Sequence, residues 1–331
     1  MDRMERFTAP FRFFKNLWDK PAVVLAYHRV THISVDPLEM AVTPEHFDKQ
    51  MQFLKKNYHV MSIEEFTEYL YKRKRFYPKT VVITFDDGYA DNLHEAFPIL
   101  DQYHLPATFF ITTRWIDKDE IPWWDELTLL CFTRTWPEKI ALNGKTYLTK
   151  TFKDKTNTYQ TWMRLFRLST MHQIKAYLSE IYQQLGGTIS EMKDQEKSKY
   201  RMLSKNELKQ LAKNTHVTIG NHTHDHVALG ILALKKQIEE IDTANHILQE
   251  ITGYPIRYIS YPFGSKKWIG KKKFYNEDTI KACKQLNMAT GLANYYGQVH
   301  SNQNPFTIPR ILVRNWEVTT FEKFMKRIYA Y

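Results

Sequence analysis

Long apolar runs punctuate this chain, and the polar stretches between them carry a helical period. Ala22–Val30 (A-V-V-L-A-Y-H-R-V), Thr80–Phe85 (T-V-V-I-T-F) and Ala107–Thr112 (A-T-F-F-I-T) are rich in β-branched and aromatic residues. That is the pattern of strands buried on both faces of a parallel sheet. Thr43 or Pro44 opens a helix to about Lys56, with Phe47, Met51 and Leu54 on one face. His59–Ser62 reads as a short strand. Ser62 then caps a helix with Glu65 at the capping-box position and Phe66, Tyr69 and Leu70 as its apolar face. Asp91–Tyr103 reads as a helix that Pro98 kinks. Further on, Val217–Gly220, Tyr258–Tyr261, Ala289–Ala293 and Ile308–Val313 are strands. Helices fall at Ala233–Ile251, Glu277–Leu286 and Thr320–Tyr329, and Ser204 with Glu207 opens another. Strand–helix alternation of this kind implies a parallel sheet with right-handed crossovers.

The alternation breaks over about 117–205, a polar, tyrosine-rich and mostly helical stretch (Tyr159–Leu168, Met171–Leu185). An Asn143–Gly144 pair within it predicts a hairpin. We read it as an insertion in one α/β domain covering 21–331, preceded by an amphipathic segment at 1–20. In that segment Phe7, Phe11, Phe14 and Trp18 share a helical stripe, Pro10 sits like a first-turn proline, and Arg12 and Lys15 lie off the line. It is either an interfacial helix on an anionic membrane or a helix packed on the body of the protein.

Length fits this plan, since 331 residues accommodate one large α/β barrel with an insertion or two average domains. No stretch of 18 uncharged apolar residues occurs, so no transmembrane helix is expected. Pro10, Arg12, Lys15 and Asp19 interrupt any signal-peptide pattern, and Cys131 and Cys283 show no disulfide or zinc spacing. These features lead us to expect a cytoplasmic protein, peripheral on the inner face of the membrane if the first segment binds there. The net charge is +11, which suggests an anionic partner or simply a basic surface. No nucleic-acid motif accompanies the charge, so nucleic acid is not an expected partner.

Candidate chemistry gathers at strand ends. Thr80–Phe85 runs into Asp86, Asp87 and Gly88. Unpaired carboxylates at the end of a core strand are costly, so either a metal or a shared proton is expected, or the acids belong to an ordinary Asx turn. Val217–Gly220 runs into G-N-H-T-H-D-H, with histidines at 222, 224 and 226. The i,i+4 pair His222 and His226 lets two imidazoles converge on one ion in a helical turn. One carboxylate with two imidazoles leaves an open coordination position, the catalytic form of a zinc site, and frees the other carboxylate to act as a base.

These residues resemble the polysaccharide deacetylases of the NodB-homology type, carbohydrate esterase family four. The first motif, T-F-D-D-G, is matched by Thr84–Gly88; the second, H-S/T-x-x-H, by His222, Thr223 and His226; the third, P-Y/F-G, by Pro262, Phe263 and Gly264. The resemblance covers about 20–115 and 205–330 and not the insertion. It implies a distorted (β/α) barrel in which Asp87, His222 and His226 hold a divalent metal, usually zinc, and Asp86 is the general base. His224 becomes a neighbour, and Thr223 orients or caps the histidine loop.

Two departures stand out. The arginine that many members carry two residues before the third-motif proline, where it steadies the base, is Ser260 here. The late histidine motif that supplies the general acid is also absent, His300 being the one late histidine. A subgroup of the family has instead a Tyr-His strand end, which Tyr27–His28 resembles, as does the closing P-R-I-L-V at Pro309–Val313. His28 is therefore expected to be the acid, with His300 as the alternative.

The implied reaction is hydrolysis of an N-acyl group, foremost N-acetyl, from a sugar of a cell-surface polysaccharide or its lipid-linked precursor. Pro262, Phe263, Gly264 and Trp124, the last from P-W-W-D-E-L (Pro122–Leu127), are candidates for contact with the sugar, though paired tryptophans also pack lids. Lys266, Lys267, Lys271, Lys272 and Lys273, with Trp268 among them, follow the third motif and could meet phosphate groups. A carbohydrate-binding protein that keeps the barrel without turnover is the alternative, and the missing arginine is its best support. A nucleic-acid-associated protein would rest on charge alone.

Overall fold

The computed structural model describes residue 16 and residues 18–186, 198–265 and 273–330. Phe7, Phe11, Phe14 and the lysines from Lys266 to Lys272, with Trp268, lie outside the described residues. Trp18 is described and exposed.

The strands in chain order are β1 (Ala22–Tyr27), β2 (Arg29–Val30), β3 (Ala41–Val42), β4 (His59–Val60), β5 (Thr80–Phe85) and β6 (Ala107–Ile111), then β7 (Lys139–Leu142), β8 (Lys145–Leu148), β9 (Val217–Asn221), β10 (Tyr258–Ser260), β11 (Thr290–Leu292) and β12 (Ile311–Leu312). The main sheet runs β11-β10-β9-β6-β5-β1-β12, with every pair parallel, and β4 joins the start of β5. Its two edges meet. Ile308 pairs with Leu292 of β11, while Ile311 and Leu312 pair with β1. The sheet is thus curled into a distorted barrel, as the motifs implied.

Alternation along the strands sorts the core. Val23, Leu25, Val81, Ile83, Phe85 and Phe109 pack in one cluster with the helices, while Ala22, Val24, Val82 and Phe110 join another that includes Ile63, Phe66 and Leu70. Residues of both clusters are fully buried, so the strands read as continuous apolar runs.

Local sequence sets the helix starts. Thr43 caps α1 (Pro44–Asn57) and Ser62 caps α2 (Ile63–Tyr71), each accepting from the N–H three residues on. The Asp91–Tyr103 stretch differs from the expected kinked helix. Asn92–Ala96 forms a π-turn, and α3 (Phe97–Gln102) starts afresh with Pro98 in its first turn, where a missing N–H costs nothing.

Between β6 and β9 lie α4 (Trp123–Thr133), the β7–β8 hairpin, α5 (Phe152–Arg167), α6 (Met171–Leu185) and α7 (Lys205–Ala212). The hairpin turn places Asn143 and Gly144 at φ 52° and 71°, the left-handed pair that an Asn-Gly two-residue turn provides. This stretch has its own core, including Trp123, Leu127, Trp162, Phe166 and Ile174, which Tyr89 joins from the turn after β5. The stretch is therefore packed on the barrel mouth. The remaining helices, α8 (Leu234–Thr252), α9 (Glu277–Gln285) and α10 (Val318–Ala330), cover the outside of the sheet.

Candidate active site

Parallel strands deliver their carboxyl ends to one rim, and the candidate residues follow β1, β5, β9 and β10 there. Asp86 and Asp87 leave β5 in a tight turn in which Asp87 and Gly88 have φ of 74° and 91°. The Gly88 N–H donates to the Asp86 carbonyl (3.0 Å), and a Cβ on Gly88 would sit 3.1 Å from the Ile111 side chain. Left-handed backbone at a non-glycine residue costs about 1–3 kcal/mol, so this turn holds Asp87 in a strained posture against the core.

The histidines converge by a different route from the expected helical turn. After β9 the chain is an irregular loop with Thr223 at φ 66° and His226 at φ 52°. These two left-handed residues, not helical spacing, turn both imidazoles inward. The Thr223 N–H donates to Asn221 Oδ1 (2.6 Å), whereas Thr223 Oγ1 is buried without a hydrogen-bond partner among the described residues.

Asp87, His222 and His226 each offer one ligand atom within 4.8 Å of the others, and all three are buried. Asp87 Oδ1 is 3.2 Å from His226 Nε2 and 3.4 Å from His222 Nε2, and it meets no other polar partner among the described residues. His222 Nδ1 lies 2.7 Å from the Ser260 carbonyl, which accepts only from a protonated nitrogen and so leaves the Nε2 lone pair facing Asp87. Burial would raise the Asp87 carboxyl, but the two imidazoles hold it well below its ordinary value. A buried, ionised carboxylate oxygen facing two inward imidazole nitrogens fits a divalent cation. This donor set suits a first-row divalent cation, zinc among them.

Asp86 faces the same space from the other side. Arg310 Nη1 donates to Asp86 Oδ1 (2.7 Å) and Nη2 to Oδ2 (2.6 Å). Nη2 also reaches Ser260 Oγ at 2.7 Å, and that hydroxyl lies 3.2 Å from Asp86 Oδ2. The guanidinium missing from the strand of the third motif is thus supplied by the closing segment, and Ser260 makes room for it. The departure read from sequence is corrected: the candidate base does have an arginine. Burial would raise the Asp86 carboxyl, but Arg310 and His222 overcome it and hold the pKa at about 2.

His28 is buried at the end of β1, with Nε2 4.0 Å from Asp86 Oδ2 and Nδ1 unpartnered. Burial lowers its pKa. His300 lies beside Asp19, ahead of β1, at the opposite end of the barrel from the carboxylates; its Nδ1 is 3.1 Å from the Asp19 carbonyl. His224 is half-buried, points away from the triad and contacts Thr113 Oγ1 at 2.9 Å.

A cleft of about 1330 Å³ opens over the site. Trp124 and Phe263 line it and flank His226, with ring centroids at 4.2 and 4.8 Å. Trp124 Nε1 donates to Tyr89 Oη (2.6 Å), which donates to Asp125 Oδ2 (2.6 Å). Pro262 and Gly264 are buried beneath the loop. The Gly264 carbonyl accepts from Asn294 N–H at 2.8 Å, and a Cβ there would come within 2.8 Å of that nitrogen. Their position sets the loop that presents Phe263.

A parallel barrel with a carboxylate, two imidazoles and a second, arginine-held carboxylate at its mouth is the architecture of a metal-dependent hydrolase. The chain belongs to the polysaccharide deacetylase family, whose profile matches residues 73–137 and 142–291. Members hydrolyse N-acetyl amide bonds of polysaccharides and depend on a metal. A poly-β-1,6-N-acetyl-D-glucosamine N-deacetylase of Staphylococcus aureus is 23% identical over 325 residues, covering 93% of this chain and 83% of that one. An Escherichia coli protein of the same name is 30% identical over 120 residues, 35% of this chain but only 18% of that longer one. Among solved structures, IcaB from Ammonifex degensii superposes with a TM-score of 0.60 at 17% identity, over 94% of this chain and 97% of that one, a likeness of fold.

Proposed function

We propose that this protein removes the N-acetyl group from an amino sugar of a polysaccharide, with Asp87, His222 and His226 holding a zinc ion. The observation that carries the proposal is the convergence of the buried Asp87 oxygen and two imidazole nitrogens, with Asp86 held ionised beside them. A metal bound there supplies Lewis-acid polarisation of the amide carbonyl and makes a water molecule acidic near neutral pH. Asp86 accepts the proton of the attacking water. Arg310 keeps that carboxylate ionised and fixes its plane. His28 passes a proton to the departing amine, and its lowered pKa makes it a strong donor once charged. Trp124 and Phe263 bracket the acyl group and exclude bulk water. The products are acetate and a free amino sugar.

The finer reading is a lipid-linked or nucleotide-linked sugar processed in the cytoplasm, with peripheral contact to an anionic membrane. The net charge of +11 supports it, and among the described residues no helix is long and apolar enough to cross a membrane. The non-catalytic alternative loses its main support with Arg310 in place.

The test is acetate release from N-acetylglucosamine oligomers by protein stripped of metal and then reloaded with zinc. Activity that returns with the metal supports the proposal. A fully loaded protein that releases no acetate from oligomers, nucleotide sugars or polyprenyl-phosphate sugars overturns it.

A further inference from the structure

Two arginines of the cleft meet no counter-ion among the described residues. Arg164 and Arg167 stand one turn apart on α5, and both line the cleft over the site. Arg167 lies over the Phe263 ring, 5.4 Å from its centroid, and its Nε is buried without a hydrogen-bond partner. Phe263 packs in turn on His226, so one aromatic ring separates this cation from a proposed metal ligand.

Apart from the proposed metal ligands, the acidic groups of the cleft are engaged. Asp86 holds Arg310, Arg29 holds Asp91, Glu39 lies 3.5 Å from Arg314, and Asp125 accepts from Tyr89. Asp36 accepts from the N–H groups of Met40 and Ala41. Neither Arg164 nor Arg167 meets a carboxylate among the described residues. Sinking an unpaired guanidinium into a wall is costly, and a like charge one turn away adds repulsion. The fold gains little from this pair, whereas an oxyanion entering the cleft would neutralise both. Arginine suits that task because its planar fork matches phosphate and carboxylate oxygens.

We propose that Arg164 and Arg167 bind an anionic substituent, a phosphate or a carboxylate, carried by the acetylated sugar or its immediate neighbour. This makes the substrate an acidic glycan, and it rests on the deacetylase reading above.

The experiment uses N-acetylglucosamine pentamers, β-1,4- and β-1,6-linked, in three forms: neutral, bearing one phosphate, and with one glucuronate. Acetate release is followed with zinc-loaded protein, and equilibrium binding with the Asp86→Asn variant, each at low and high salt. We expect kcat/KM for an acidic form to exceed that of the neutral one by at least about tenfold, the range of a charge-assisted hydrogen bond. The advantage should lie in KM, shrink in high salt and collapse in Arg164→Gln/Arg167→Gln. Arg167→Lys should keep part of it. Arg167→Met, which preserves packing on Phe263 without charge, should lose it.

Equal use of acidic and neutral pentamers, or a preference that survives Arg167→Met and the double Gln variant, overturns the anion site and leaves the deacetylase reading intact. Arginine-dependent binding of an acidic pentamer without acetate release from any form does the reverse. Absence of both binding and release overturns both. The phosphate and glucuronate arms identify the anion.

Discussion

Arg310 and Asp86, 224 positions apart in the chain, meet inside the barrel as a two-pronged ion pair, with N–O distances of 2.7 and 2.6 Å. Both side chains are almost completely buried. Breaking a buried pair leaves an uncompensated charge and costs about 3–5 kcal/mol. Arg310→Met should destabilise by that order in denaturant melts and raise the Asp86 pKa. Arg310→Lys should rescue little, because an ammonium cannot span both oxygens. In the native protein Asp86 titrates at about 2, below its ordinary 3.8. Its contribution to stability is therefore present above about pH 4 and is lost as pH falls toward about 2. Melts of Arg310→Met that match the native protein across this window would contradict the assignment.

Asp125 should do the opposite in the adjoining window. Burial pushes its carboxyl up to about 7 from an ordinary 3.8. A group that binds its proton more tightly when folded loses stabilising effect as pH rises, here between about 4 and about 7. Asp125→Asn keeps an acceptor for Tyr89 and removes the charge. It should flatten that decline, and thermal melts across the range will detect it.

Metal content separates the ligands from their neighbours. Asp87→Ala and His226→Ala should lose most bound zinc in elemental analysis, since three protein ligands are the minimum of such a site. Full retention in both would remove the metal assignment.

Asp86→Asn and His28→Ala should retain the metal while turnover falls by about 10²–10⁴, the usual contribution of a general base or acid. His300 sits at the far end of the barrel beside Asp19, so His300→Ala should leave kcat nearly unchanged. If that substitution, and not His28→Ala, abolishes turnover, the proton donor has been misassigned.

Trp124 is 7% exposed, and its ring packs on His226 with centroids 4.2 Å apart. Trp124→Ala should cost about 3–5 kcal/mol, as large-to-small aromatic changes in cores do. It should also weaken zinc affinity by freeing the His226 ring, whose Nδ1 has no partner of its own. Trp124→Phe should recover part of both losses. An unaltered zinc affinity in the alanine variant would mean that the loop backbone alone orients His226.

Much of this was legible in the sequence because it is local. Apolar runs ending in Tyr27–His28, Asp86–Asp87 and Asn221–His222 place chemistry at strand ends without reference to the rest of the chain. What escaped depends on register or backbone angle. Arg310 lies within P-R-I-L-V, a stretch visible as a strand, but only the pairing of Ile311 with Leu25 and of Ile308 with Leu292 aims it at Asp86. The left-handed angles at Thr223 and His226 have no sequence signature, since neither residue is a glycine. Helix α4 was only partly visible, because tryptophans, leucines and a cysteine bury several of its sides and blur the helical period.

The segment that closes the barrel also has a bearing on how the protein is made. Ribosomes release a chain from its amino end, so β1, β5 and β9 with their acids and histidines emerge well before Ile308–Val313. Until that segment docks between β11 and β1, Asp86 has no guanidinium and the sheet has two open edges. A chain that ends before this segment lacks both the guanidinium that holds Asp86 and the strand that seals the sheet. The same few residues that seal the sheet complete the candidate site, so closing the barrel and arming the proposed base are a single folding event.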